Sequence, residues 1–117
     1  MPDEPTSPLP PAEFRILLAL LDGAKHGHGI KLDVRDRTEG RVEMGPGSLY
    51  GAIKRLAGRG WIEEVASPEP VGERDERRRY YAVTPEGRDA ATAELRRMDE
   101  LMEIAREKGI SAGRAGA

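Results

Sequence analysis

The chain has 117 residues, 34% of them charged, only 4% aromatic and none cysteine. A domain of this size has a single core, here mainly aliphatic, and one this polar commonly gains its missing burial by pairing with a second copy. Disulfides and thiolate metal sites are excluded, and no apolar run reaches the ~18–20 residues of a membrane span. The start Met1-Pro2-Asp3-Glu4 has no basic signal-peptide opening, so the chain reads as cytoplasmic.

The formal net charge of −2 argues against indiscriminate polyanion binding. It leaves DNA open, because phosphate affinity follows where cations sit more than their sum. Lys54, Arg55 and Arg59 form one basic group, and Arg74, Arg77, Arg78 and Arg79 a second. Acids concentrate in the N-terminal tail and the last long helix.

Residues 1–8 hold three prolines and two acids and read as a disordered lead-in. Pro10-Pro11-Ala12-Glu13 opens a helix to about Leu21, with Phe14, Leu17, Leu18 and Leu21 at i, i+3, i+4 and i+7. Ile16, Ala19 and Leu20 carry the apolar stripe almost all round. Such a helix needs two partners, one of which is assigned to a second subunit. Lys25-His26-Gly27-His28-Gly29 reads as a turn, and a helix follows from about Ile30 to Thr38, with Ile30 and Val34 inward and Gly40 ending it. Val42 and Met44 are expected to pack under the next loop. The unit has helix-turn-helix spacing.

Gly45-Pro46-Gly47-Ser48-Leu49-Tyr50-Gly51-Ala52-Ile53-Lys54-Arg55-Leu56 is the most informative stretch. Ser48 stands at a helix start, Leu49, Ile53 and Leu56 face inward, and Ser48, Tyr50, Gly51, Lys54 and Arg55 point elsewhere. So short a helix is marginal alone and must dock with its polar side outward, as a recognition helix does. It runs to about Gly58. Trp61-Ile62-Glu63-Glu64-Val65 and Arg79-Tyr80-Tyr81-Ala82-Val83-Thr84 read as strands, joined by a polar connection from Ala66 to Arg77 that makes a mobile wing tip. Alternation places Tyr81 and Val83 on the core side and Tyr80 toward the DNA side.

Thr84-Pro85 is a hydroxyl N-cap with proline at the first helical position. The helix it starts reaches about Lys108. Ala91, Leu95, Met98, Met102 and Ala105 step by four and three, close to a heptad seam, and Leu101 and Ile104 broaden it. Its ~24 residues would reach ~36 Å, which overshoots so small a domain and favours a dimer seam over a helix folded back on its own body. The fold class is therefore mainly α with a small β-hairpin. A winged helix-turn-helix domain spans 9–84, a C-terminal dimerisation helix 85–108 and a disordered tail 109–117.

The run Gly45–Leu56, then Arg59-Gly60-Trp61-Ile62, then Arg78-Arg79-Tyr80-Tyr81-Ala82-Val83-Thr84-Pro85-Glu86-Gly87, resembles the PadR family of transcriptional regulators. The likeness continues upstream into Phe14–Leu21 and His26-Gly27-His28-Gly29-Ile30 and covers roughly residues 9–108. It implies a repressor of the shorter C-terminal-helix branch, often released when a small apolar or aromatic effector enters at the dimer interface. Leu and Met side chains of the first and last helices could line such a pocket, although core and dimer packing explains the same residues. No tryptophan lies in the last helix, so ligand stacking on an aromatic there is not expected. Trp61 opens the wing and is expected to pack against the helices. His28 stands where the family usually has an aromatic, and reads as an exposed turn histidine.

A homodimer would place two recognition helices in successive major grooves of double-stranded DNA, so the operator should be a near-palindrome. The expected DNA contacts are Ser48, Tyr50, Lys54, Arg55, Arg77, Arg78, Arg79 and Tyr80. Ser48 donates to a phosphate or serves as the helix cap, Lys54 reaches a guanine edge or a phosphate, and Arg55 enters the groove or pairs with a nearby acid. The wing arginines would grip flanking backbone, though alternation keeps all three from facing DNA together. The dimer interface is assigned to Phe14, Leu17, Leu18, Leu21, Ala91, Leu95, Met98, Met102 and Ala105. No cofactor, metal or membrane partner is expected. An enzyme is disfavoured: there is no glycine-rich phosphate loop after a strand, and His26 and His28 fit neither a metal pair nor a relay. The alternative is a dimeric winged helix used for protein contacts, with acids such as Glu63 and Glu64 weakening its DNA face. Another winged-helix class such as the MarR type would change the dimer geometry alone.

Overall fold

The computed structural model describes residues 8–68 and 79–112. Its elements are α1 (Pro11–Leu20), β1 (Lys25–His26), α2 (Gly27–Arg37), α3 (Pro46–Gly58), β2 (Ile62–Val65), β3 (Tyr80–Val83) and α4 (Pro85–Glu107). The fold is mainly helical with one small antiparallel sheet, strand order β1-β3-β2. Most of both tails and of the wing tip, with Arg74, Arg77 and Arg78, lies outside the described residues.

The core is aliphatic, as the composition requires. Ile16, Leu17 and Leu20 of α1 meet Ile30 and Val34 of α2 and Leu49, Ala52, Ile53 and Leu56 of α3. Trp61 and Ile62 close one side, and Ala90 and Ala91 of α4 another. Full burial of a large aliphatic side chain is worth about 1.5–3 kcal/mol. The inward stripe of α3 therefore fixes a helix too short to persist alone. Met44 is buried and Val42 packs beside it, so the segment before α3 is anchored from below.

Three local readings change. Lys25 and His26 form a strand instead of a turn, because they pair with Tyr81 and Tyr80 and so satisfy the free edge of β3. The second helix begins at Gly27 instead of Ile30, because His26 Nδ1 accepts the Gly29 N–H at 3.0 Å and caps it. Ser48 is not the cap of α3. Gly45 holds that position with no side-chain bond, Pro46 opens the helix, and Ser48 is its third residue. Proline's fixed φ is already helical, so the helix starts three residues earlier than a Ser48 cap would give.

The His26 cap makes a direct prediction. His26→Ala removes both the acceptor and the ring that meets Tyr80 edge-on at 5.1 Å. The unfolding free energy from urea titration should fall by about 1–2 kcal/mol.

The start of α4 is as the sequence indicates. Thr84 Oγ1 accepts the Gly87 N–H at 3.0 Å and donates to the Gly60 carbonyl at 2.7 Å. The Thr84 N–H donates to the Trp61 carbonyl at 3.0 Å, so the end of α3, the wing and α4 meet at one buried threonine. Leu9 is buried as well, and its N–H donates to Glu94 Oε1 at 3.1 Å.

The apolar residues assigned to a dimer divide. Phe14, Leu17 and Ala91 are buried in the chain's own core, which corrects their assignment to the interface. Leu18, Leu95, Met98 and Met102 remain exposed, and Leu21 and Ala105 are half-buried. In α4 the face that buries Gly87, Ala90, Ala91 and Glu94 against the body continues beyond it as Met98, Leu101 and Met102, which are exposed among the described residues.

Candidate nucleic-acid interface

At about 100° per residue, the side of α3 opposite its buried stripe carries Gly47, Gly51, Lys54 and Gly58. Side chains added at Gly47 or Gly58 would meet only open space, so the surface lies low around the lysine. Lys54 is exposed and has no ionic or hydrogen-bonding partner among the described residues. Ser48 is exposed, seven residues before Arg55 and so on the same flank of the helix, and Tyr50 stands on the other flank, against Gly27 of α2.

Tyr50 is held by a close approach. Its phenol lies against Gly27, where a Cβ would fall 2.8 Å from Tyr50 Cζ and closer still to the hydroxyl. Glycine at the first residue of α2 therefore sets how near α3 can bring its tyrosine. Behind it, Lys25, Tyr81 and Glu64 lie in register across the sheet. Burial, with Glu64 beside it, holds the Tyr81 phenol above its ordinary pKa, so at neutral pH it remains a hydrogen-bond donor. Arg79 is exposed and approaches Glu64 at 3.8 Å, a pairing too loose to restrain it.

Arg55 takes the second of its two expected roles. Its Nε donates to Glu13 Oε2 at 2.7 Å, and Arg59 Nη1 reaches Glu13 Oε1 at 3.4 Å. The Arg59 guanidinium also lies 4.9 Å over the Trp61 ring, and Trp61 is buried against the helices as expected.

Tyr80 does not stand toward DNA. Alternation does separate it from Tyr81 and Val83, which pack on the core, yet Tyr80 is only 4% exposed. The strand β1 lies beside it and His26 meets its ring edge-on, so the outer face of β3 is covered. His28 is exposed, with its ring parallel to that of His26 at 6.3 Å between centroids. Arg77 and Arg78 fall outside the described residues, and no group of three His, Cys, Asp or Glu that could hold a metal occurs within them.

The residues that sequence reasoning missed are Glu13, His26 and Gly27. An acid in the first turn of a helix is ordinary on dipole grounds, so Glu13 announces nothing about partners 42 and 46 residues away. His26 followed by two near glycines was a usable signal, since a ring nitrogen ahead of a flexible turn can cap as Asp or Ser does.

Residues 16–93 match the Transcriptional regulator PadR-like family. A transcriptional regulator from Clostridium thermocellum is similar in structure, with a TM-score of 0.69 and 26% identity over 84% of this chain and 92% of that one. RosR of H. salinarum superposes with a TM-score of 0.62 and 28% identity, covering 80% of this chain and 77% of that one. A PadR family regulator from Clostridium difficile shares the fold, with a TM-score of 0.69 at 24% identity and coverage of 82% and 95%. A 37.1 kDa protein in transposon TN4556 of Streptomyces fradiae is 34% identical over 90 residues, which is 77% of this chain. The chain spans about a quarter of that relative's length (24%). Among the described residues no helix is long and apolar enough to cross a membrane. With the three-helix body, both strands of the wing and the seated start of α4 all inside the matched residues 16–93, the chain belongs to the PadR-like family of transcriptional regulators.

Proposed function

We propose that the chain is a cytoplasmic, dimeric repressor that binds double-stranded DNA at a near-palindromic operator. One observation carries the reading: α3 presents Ser48, Tyr50 and Lys54 on a glycine-lined face that nothing in the described chain covers. Lys54 contacts a phosphate, the role suited to a flexible point charge, while Tyr50 reaches into the groove and Ser48 with Arg79 steadies the flanks. A small apolar or aromatic effector would enter between the copies, beside Leu18 and Met98, and release the DNA by changing the spacing of the two recognition helices.

The test is binding of the protein to its own upstream DNA and to a scrambled duplex across a salt series. Selective binding that weakens steeply with salt is the expected result. Lys54→Ala should cost about tenfold or more in affinity on both duplexes and reduce the salt slope by about 1 per protomer. A second reading, a winged helix used for protein contacts, draws on Glu63 and Glu64, both exposed on the hairpin strand β2. Equal and weak binding to both duplexes at low salt would favour it.

A further inference from the structure

Glu13 is a carboxylate in the first turn of α1 and only 1% exposed, yet its two oxygens hold two arginines from the far end of α3. We propose that Glu13 withholds Arg55 and Arg59 from the DNA backbone and thereby limits the sequence-independent part of this regulator's affinity. The inference deepens the DNA-binding reading above and rests on it.

The physical argument begins with the buried charge. An arginine pulled toward a phosphate would leave Glu13 desolvated and short of a partner, and breaking one side of a buried pair is costly. The N-terminal end of the α1 dipole also favours a carboxylate at this first-turn position. Arg59 has a second restraint. It lies over the Trp61 ring, while Arg55 folds back over Gly51, its Nη1 3.5 Å from where a Cβ would stand there. Both guanidinium-bearing side chains nevertheless remain about half exposed, at 56% and 46%, on the flank that borders the proposed DNA face. They are therefore within reach of a polyanion and are kept from it by one acid. Lys54, next to Arg55 in the chain, has no such restraint.

The consequence is a matter of discrimination. Each cation that meets phosphate strengthens binding to every sequence alike, and bulk DNA then competes with the operator. Holding two of three neighbouring cations lets the groove-facing side chains weigh more in the total. Glu13 is in this sense a positioning residue, since it acts through the arginines.

The experiment compares the native protein with Glu13→Gln on a random-sequence duplex across salt, and on a heparin column. Freed arginines should raise random-duplex affinity about tenfold at low salt, steepen the salt slope by about 1–2 per protomer, and delay heparin elution. Arg55→Ala should change random-duplex affinity less than about threefold in the native background, yet remove most of the gain when combined with Glu13→Gln. A lower unfolding midpoint with unchanged slope and elution would mean that Glu13 only holds α1 to α3, and would overturn the inference. If Glu13→Gln does not fold, the single Arg55→Ala variant decides: a loss as large as that of Lys54→Ala shows the arginine was never withheld. If the native protein prefers no duplex, the regulator reading fails by itself. The heparin comparison still reads Glu13, with later elution of the variant expected and unchanged elution counting against it.

Discussion

Leu101→Glu should convert the protein to a monomer in size-exclusion chromatography and lower operator affinity by about 10²–10⁴-fold, the range in which linking two binding units multiplies their strength. The expectation comes from where α4 goes. Its first half is seated on the body through Gly87, Ala90, Ala91 and Glu94, and the same stripe then runs on through Met98, Leu101 and Met102 with Leu95 and Ile104 at its margins. Five large apolar side chains exposed on the second half of one helix are more than a small polar domain leaves in water without use. A second copy meeting it face to face is the economical cover, since the two stripes are then identical and self-complementary. Leu101 is 65% exposed, so glutamate there leaves the monomer core untouched and far-UV circular dichroism should hold. In the dimer the same glutamate would be buried without a partner. A Leu101→Glu protein that stays dimeric would move the contact to the exposed Leu18 side of α1.

The second large effect is on stability. Gly87→Ala places a methyl group inside the contact distance of the Trp61 carbonyl oxygen, with Trp61 C at 2.9 Å and Val83 Cγ2 at 2.8 Å. The obstacle is mostly backbone, and Trp61 is doubly fixed by its buried ring and by the hydrogen bond from the Thr84 N–H. Neither side yields cheaply. Overpacking of this kind costs about 3 kcal/mol, which in a domain this size lowers the thermal midpoint by about 12–24 °C. Calorimetry reads it directly. A midpoint within a few degrees of the native value would mean that α4 can slide along the wing, and the threonine junction would then not be the rigid joint its hydrogen bonds describe.

Much of this architecture is legible in the sequence. The inward stripe of α3 and the Thr84-Pro85 start of α4 each rest on a local signal, a helical period or a capping pair, and local signals survive folding. What could not be read depends on partners distant in the chain. A two-residue strand has no alternation to detect, and β1 exists only because β3 offers it an edge. Missing it also misplaced Tyr80, since the face of β3 turned from the core is the one that β1 and His26 cover. The apolar positions of α1 recur almost all round that helix, so periodicity marked Phe14 and Leu17 as buried without saying by what. They meet their own domain, whereas Leu18 does not. Arg55 was left between groove and acid for the same reason, because Glu13 lies 42 residues upstream.

The strand order has a further consequence, for solubility. The segment most prone to pair with stray chains is Tyr80-Tyr81-Ala82-Val83, aromatic and β-branched with no charge. The order β1-β3-β2 places it in the middle, with a neighbour on each side. The two strands left at the edges are poor templates for growth. One is two residues long, and the other carries Glu63 and Glu64 exposed. Short length and charge are what keep sheet edges from joining into aggregates. The exposed Glu63 and Glu64 thus discourage the β2 edge from pairing with a strand of another chain.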